Sequence, residues 1–395
     1  MIYKYPPKLM TSDPDSYARL TILERKPTII AQVISDHHYP DSIVANLNKF
    51  KSEIADHEIK PLIEKSLDTV VWNECVLNYS GKNWLELPWY FAETYFYRKL
   101  LEAIGYFQPG DTFHQDPFLP GKIKSLASDI PWFEIELQYY TEIPQEQRFS
   151  ALFHSCLWGN RADLSNFTVK EQVQNAFDAH KQNDHILIDH TSEVGFILAK
   201  GCKRLDWICD NIGKEQLFDL ATADFILNHF HCDQIIFHLK DRPFFVSDAT
   251  IEDTLLTVDR LQNATQAAAC NLGNRLIEHI NANRIKLIAN PFYTSCFMFR
   301  KLPDELSREL ASSDLVILKG DVNYRRLLDD CHWPYTIPME KITSYFPAPF
   351  VTLRTLKGEI LVDLAEGQAE EIARDDPDWL INGKRGIIRL VNLRK

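Results

Sequence analysis

The chain has 395 residues, 45% of them hydrophobic and 25% charged, with a formal net charge of -12. That length and apolar share support one large buried core plus a smaller unit and exclude a disordered chain. The acidic balance disfavours non-specific nucleic-acid binding and anionic membrane surfaces, but leaves small ligands open, because one basic pocket can sit in an acidic protein.

The eight cysteines include no C-x-x-C pair and match neither a zinc knuckle nor a small disulfide scaffold. A reducing compartment is the simplest setting. Met1–Pro7 has no leader-like apolar core, and no apolar run is long enough to span a bilayer. The expectation is a cytoplasmic protein, with the nucleus also open, and no obligate protein partner.

Residues 1–16 are polar and Pro-containing, a surface strap. From Tyr17 the spacing of Leu20, Ile22, Leu23, Ile29, Ile30, Val33 and Ile34 predicts helix, with Pro27 kinking it or starting a new one. Residues 43–79 continue with helical spacing. In Trp84–Arg98, Pro88 sits near a helix start; Glu93 and Tyr97 then share one face, and Thr94 and Arg98 another. The aromatic density of Tyr90, Phe91, Tyr95, Phe96 and Tyr97 reads as core or domain interface. Asp116-Pro117-Phe118 and Lys122 read as a loop between helices. The chain then turns at Gly159, where Asn160 and Asp163 either cap backbone or orient a neighbouring ligand.

The second half alternates short apolar runs with helical ones. Candidate strands are 205–209, 234–239, 243–247, 285–289, 314–319 and 350–354; helical runs include 215–228, 251–262, 265–281 and 323–330. This rhythm predicts an α/β fold, a three-layer α/β/α sandwich around a mostly parallel sheet. An N-terminal helical cap domain is expected over 1–180 and the α/β/α domain over 181–395.

Leu205–Glu215 reads as strand, tight turn and helix. Ligands of open parallel sheets sit at strand carboxyl ends. Asp210 and Asn211 would lie there, beside a helix N-terminus that favours anions. A carboxylate and an amide oxygen suit a hard cation; the plainer reading is a helix N-cap. Asp248 repeats the pattern after Arg242–Ser247, so two strand ends could converge on one cation, though Asp248 could equally cap a helix. His229 and His231, two residues apart, do not share a helix face. In Asp314–Arg325, Gly320 permits a tight path, and Asp321 and Asn323 either grip substrate hydroxyls or cap a helix. Arg354 and Lys357 supply late cations, at a site or on a solvated surface. Residues 379–390 read as an edge hairpin without visible chemistry.

The run Asp210-Asn211-Ile212-Gly213-Lys214-Glu215 resembles the Asp-Asn-x-Gly-x-Glu signature of the damage-control phosphatases, a metal-dependent family once known only as a domain of unknown function. Similar stretches extend from Tyr17 to Leu390. They include Thr21, Arg25 and Pro27, the Glu93-x-Tyr95-x-Tyr97-Arg98 run, Asp116-Pro117-Phe118, Trp158-Gly159-Asn160, the block ending at Asp248, and Lys319-Gly320-Asp321-x-Asn323-Tyr324-Arg325. Arg354-Thr355-x-Lys357 resembles the mark of a branch once described as acidic-residue or protein-glutamate methyltransferases.

The resemblance implies a phosphatase for small sugar phosphates such as fructose 1-phosphate or fructose 6-phosphate. It places the metal ligands on Asp210, Asn211 and Asp248, with Asp210, Asp248 and Lys357 catalytic. Asp321, Asn323, Arg354 and Lys357 become substrate contacts, with Glu93 and Asn160 in support. The implied cofactor is a divalent metal, Mn2+ foremost, with Co2+, Ni2+ or Mg2+ as alternatives. Two other functions compete. A methyltransferase using S-adenosylmethionine on protein glutamates commonly carries a Gly-rich strand-to-helix turn, and no Gly-x-Gly-x-x-Gly occurs here. A non-catalytic protein with a structural metal accounts less economically for several polar motifs around one cleft.

Overall fold

In a computed structural model of the chain, the described residues are 5–159 and 185–392. Helix α1 (Tyr17–Leu20) passes through a π-helical turn at Thr21–Arg25 into α2 (Lys26–Asp36). Pro27 lies in the first turn of α2, directly after the π-helical turn. There follow α3 (Asp41–Glu53), α4 (Thr69–Leu77), α5 (Trp89–Ile104), α6 (Leu119–Glu142) and α7 (Gln145–Trp158). Lys122 is therefore within a helix, not the expected loop. The strap runs between two parts of the molecule: Leu9 N–H donates to Asp330 O (2.9 Å), and Trp89 N–H to Leu9 O (2.9 Å).

The chain then alternates strand and helix: β1 (Ile186–Asp189), α8 (Thr191–Ala199), β2 (Cys202–Ile208), α9 (Lys214–His229), β3 (Cys232–Leu239), α10 (Ile251–Gln262), α11 (Ala267–Asn281) and β4 (Ile285–Ala289). After these come α12 (Asp304–Ala311), β5 (Leu315–Lys319), α13 (Gly320–Leu327), α14 (Met339–Thr343), β6 (Phe350–Thr355), α15 (Gln368–Asp375) and β7 (Gly386–Val391). The described strands form one 7-stranded sheet in the order β1-β7-β6-β5-β2-β3-β4. From β6 to β4 all pairings are parallel; β7 runs antiparallel to β6 and parallel to β1.

Alternate side chains feed two cores. Leu205, Trp207, Leu315, Ile317, Val351 and Leu353 face a layer made by α6, α7 and the helices from α8 to α11. Ile208, Val316, Leu318 and Phe350 face a layer drawn from residues 292–379. Covered on both faces, β5 and β6 are buried at every residue, as a parallel sheet between helical layers requires. A third core joins α2–α5 and takes in Phe244 from the loop after β3. The chain is thus an α/β protein with an N-terminal helical region and a mixed, mostly parallel sheet. No described helix is long and apolar enough to cross a membrane.

Two expected elements are corrected. Residues 243–247 are not a strand: Phe245 has φ of 50°, and its ring lies 5.0 Å from Tyr97. The apolar run is used to dock the helical region instead of extending the sheet. The closing segment is not an edge hairpin, because β7 lies inside the sheet between β6 and β1. Helix α13 also begins at Gly320, directly after β5, where a run starting at 323 was expected.

Candidate functional site

The site is built at the carboxyl ends of β2, β3, β5 and β6. Cys209 and Asp210 continue β2, and the chain then pairs with the segment before α10. Ile212 N–H donates to Ser247 O (2.8 Å), Ala249 N–H donates to Asp210 O (2.9 Å), and Asn211 and Asp248 form an antiparallel bridge. Asp248 is delivered by this pairing, from a loop and not from the strand end expected of it. Thr250 and Asp253 then cap α10 reciprocally, so the cap role once open to Asp248 falls two residues later.

Asn211 Nδ2 donates to Asp210 Oδ2 (2.9 Å) and to Glu215 Oε2 (3.0 Å), while its Oδ1 accepts from Ser247 Oγ (2.7 Å). Burial first, then the charges of Glu215 and Asp248, push the Asp210 carboxyl well above the usual carboxylate range, against Lys240 and Lys357. The Asp248 carboxyl is also raised, by burial above all, although Lys240 Nζ lies 2.9 Å from its Oδ2. Lys240 Nζ also donates to Cys209 O (3.2 Å). Lys122, from α6, donates to Asp248 O (3.1 Å) and holds Asp253 (2.6 Å) and Asp116 (2.8 Å).

Under this floor lies a buried charge cluster. Lys319 Nζ meets Asp219 Oδ1 (2.7 Å) and Glu215 Oε1 (3.3 Å), and donates to Cys156 O (2.5 Å). Lys319 thus anchors Glu215, which in turn orients the Asn211 amide. Gly320, with φ of +84°, brings backbone against Asp210: a Cβ there would stand 1.9 Å from Asp210 Oδ2. Only glycine fits both that conformation and that approach.

The other expected site residues fall into distinct places. Asp321 accepts from Arg354 Nε (2.7 Å), and Arg325 lies 3.7 Å from its other oxygen. Burial alone would raise the Asp321 carboxyl, yet Arg354 and Arg325 outweigh it and hold it below the usual range. Asn323 is buried and donates to Lys319 O (2.9 Å) and Cys209 O (3.4 Å), which ties two strand ends together. Arg354, fully buried, also donates to Gly358 O (3.0 Å) and to Ile360 O, so it shapes the loop carrying Lys357. Lys357 is partly exposed, and its charge acts on both Asp210 and Asp321.

Glu93, from α5, is buried and pairs with Lys26. Burial pushes the Lys26 ammonium down to about 8 despite that partner. Glu93 Oε2 and Arg325 Nη2 are buried atoms that make no hydrogen bond among the described residues. Arg98 turns away from the site, to Glu64 (2.7 Å) and Asp68 (3.0 Å). Asn160 and Asp163 lie outside the described residues.

Lys240, Lys319, Glu215 and Arg325 were not singled out as site residues from sequence. Each stands inside a run quoted for its resemblance, and the signal available was a charged residue at the end of an apolar strand or one turn into the next helix. Among the described residues no three His, Cys, Asp or Glu side chains are grouped as a metal cage. The donor set at Asp210, Asn211 and Asp248 is instead two carboxylates and an amide. All are hard oxygen donors, and the two crowded buried carboxylates gain from a cation between them; this fits a divalent ion of the Mg2+ or Mn2+ type.

The family model of the damage-control phosphatase ARMT1-like domain matches residues 21–372. Proteins named damage-control phosphatase ARMT1 align along almost their entire length. The Xenopus laevis protein is 30% identical, covering 98% of this chain and 98% of its own. The Mus musculus protein is 32% identical and the Homo sapiens protein 30%, each covering 97% of this chain and 98% of its own. By this full-length match the chain belongs to the damage-control phosphatase ARMT1-like family, a class of metal-dependent phosphatases.

Proposed function

We propose that the protein hydrolyses small sugar phosphates, fructose 1-phosphate and fructose 6-phosphate among them, with a divalent metal, Mn2+ foremost, held by Asp210, Asn211 and Asp248. The observation that carries this reading is the bridge between Asn211 and Asp248, which sets two buried carboxylates and an amide side by side at the sheet's carboxyl end. Bound there, the cation supplies Lewis-acid neutralisation of phosphate oxygens.

The remaining work falls to the chain. Lys357 donates to a phosphate oxygen from its partly exposed position and stabilises charge that grows during transfer. Arg354 fixes the Asp321 carboxylate and the Lys357 loop in one geometry, and Asn323 locks the ends of β2 and β5. Asp321, whose second oxygen lies 3.7 Å from Arg325, would accept from sugar hydroxyls. Arg325 Nη2 and Glu93 Oε2 add a donor and an acceptor that make no hydrogen bond among the described residues. Lys240 balances Asp248, so the site does not carry the full charge of its acids.

The test is a phosphate-release screen over sugar phosphates on metal-stripped protein, with each divalent metal added back. Release restored by Mn2+ or a related ion supports the assignment. Absence of release with every metal, together with calorimetric binding of S-adenosylmethionine, would replace it with the methyltransferase reading.

A further inference from the structure

Away from the site, two thiols meet across the helical region and the α/β body. Cys75 is near the end of α4; Cys296 follows the turn Pro291–Thr294 after β4. Their sulfurs are 3.5 Å apart although the residues are 221 positions apart in the chain. Both are free and partly exposed, so a small oxidant can reach them. Cys202 and Cys232, which face each other across β2 and β3, are only 1% and 3% exposed and offer no such access.

We propose that Cys75 and Cys296 form a peroxide-oxidisable pair whose disulfide staples α4 to the segment that backs the site loop. A disulfide bond is about 2.05 Å long, so the sulfurs need close only about 1.5 Å, within reach of side-chain rotation. The Cys296 thiol donates its hydrogen bond to Cys75 and lowers the Cys75 pKa, while Cys296 itself is held high by the same bond and by burial. Cys75 is therefore the attacking thiolate and Cys296 the resolving thiol.

The steps balance. The Cys75 thiolate attacks one peroxide oxygen, the O–O bond breaks, hydroxide leaves, and Cys75 becomes a sulfenic acid. Cys296 sulfur then attacks the Cys75 sulfur; the S–O bond breaks, the S–S bond forms, and water leaves with the Cys296 proton. The two thiols supply both electrons that reduce the peroxide, and a dithiol reverses the product by exchange.

The staple would act where it matters for the site. Ser295 O accepts from Tyr90 OH (3.2 Å), Phe297 O from Arg326 Nε (3.0 Å), and Thr294 Oγ1 donates to Asp241 Oδ1 (2.5 Å). Asp241 opens the loop that delivers Asp248. Joining residues so distant in sequence also restrains the unfolded chain.

The experiment treats reduced full-length protein with hydrogen peroxide, blocks remaining thiols, digests without reductant and analyses peptides by mass spectrometry. The expected result is a Cys75–Cys296 cross-linked pair that dithiothreitol releases, with a thermal midpoint a few degrees above that of the reduced protein. In Cys296→Ser the midpoint should stay fixed and dimedone should label Cys75. Recovery of both residues as separately blocked thiols after peroxide would overturn the proposal, as would a cross-link that leaves the midpoint unchanged.

Discussion

Replacing Gly320 by alanine probes the site without changing any charged residue. The new Cβ would stand 1.9 Å from Asp210 Oδ2, 2.4 Å from Cγ and 3.0 Å from Cβ. Ordinary contact begins at 3.4 Å, so the carboxylate must retreat by about 1.5 Å. The positive φ of +84° adds a left-handed penalty of about 1–2 kcal/mol for any L side chain. Asp210 has little room to move, since Asn211 holds its Oδ2 at 2.9 Å and the residue is 5% exposed. A misplacement near 1 Å at a reacting centre can cost about 10²-fold in rate. Gly320→Ala should therefore lower kcat/KM for metal-dependent phosphate release by about that factor, with a stability loss of about 1–3 kcal/mol. Steady-state kinetics at saturating metal, paired with urea unfolding, reads both. Wild-type kinetics in a folded Gly320→Ala protein would refute the placement of Asp210 in the reaction.

Lys357→Met should lower kcat/KM at least about tenfold while metal affinity, measured by calorimetry, stays near wild type; unchanged kinetics would return Lys357 to the solvated surface. Lys319→Met leaves Asp219 and Glu215 buried without their shared cation and should cost about 3–5 kcal/mol in urea unfolding, whereas a near-neutral effect would mean the pair relaxes or neutralises freely. Asp68 tests acid stability: burial raises its carboxyl, but Arg98, Arg242 and Ser66 outweigh it and hold the folded value below the ordinary 3.8. A lowered carboxyl stabilises fully above 3.8 and loses that contribution as pH falls through the folded value, so the stability gap between wild type and Asp68→Asn should narrow below pH 3.8. A gap independent of pH would exclude this ion pair as its source.

Periodicity served well where the core decides local structure. The runs ending at Ile208, Leu239 and Thr355 are strands buried against helices over most of their length, the edge strand ending at Ala289 keeps Ile285 buried, and α10 matches its expected 251–262 bounds. It failed where an apolar run serves another surface. Phe244 and Phe245 look like strand residues, yet they dock onto Tyr97 of the helical region. β7 looked like an edge because its partner β1 is short, with Ile186–Asp189 too brief to stand out. The placement of Asp210 and Asn211 at a strand's carboxyl end was legible from one run of residues. The position of Asp248 beside them was not, since it depends on a backbone bridge formed by a loop. Nor could spacing reveal that Asp321 is held by Arg354, or that Lys240 and Lys319 balance the acids from neighbouring strand ends.

The proposed function depends on Asp210 and Asp248 together holding the cation that phosphate release requires. The most direct measurement is phosphate release by wild type, Asp210→Asn and Asp248→Asn across a metal titration, with folding of each protein checked by circular dichroism. Both variants should fold, and both should lose nearly all release at limiting metal. Full activity in both folded variants at limiting metal would contradict it.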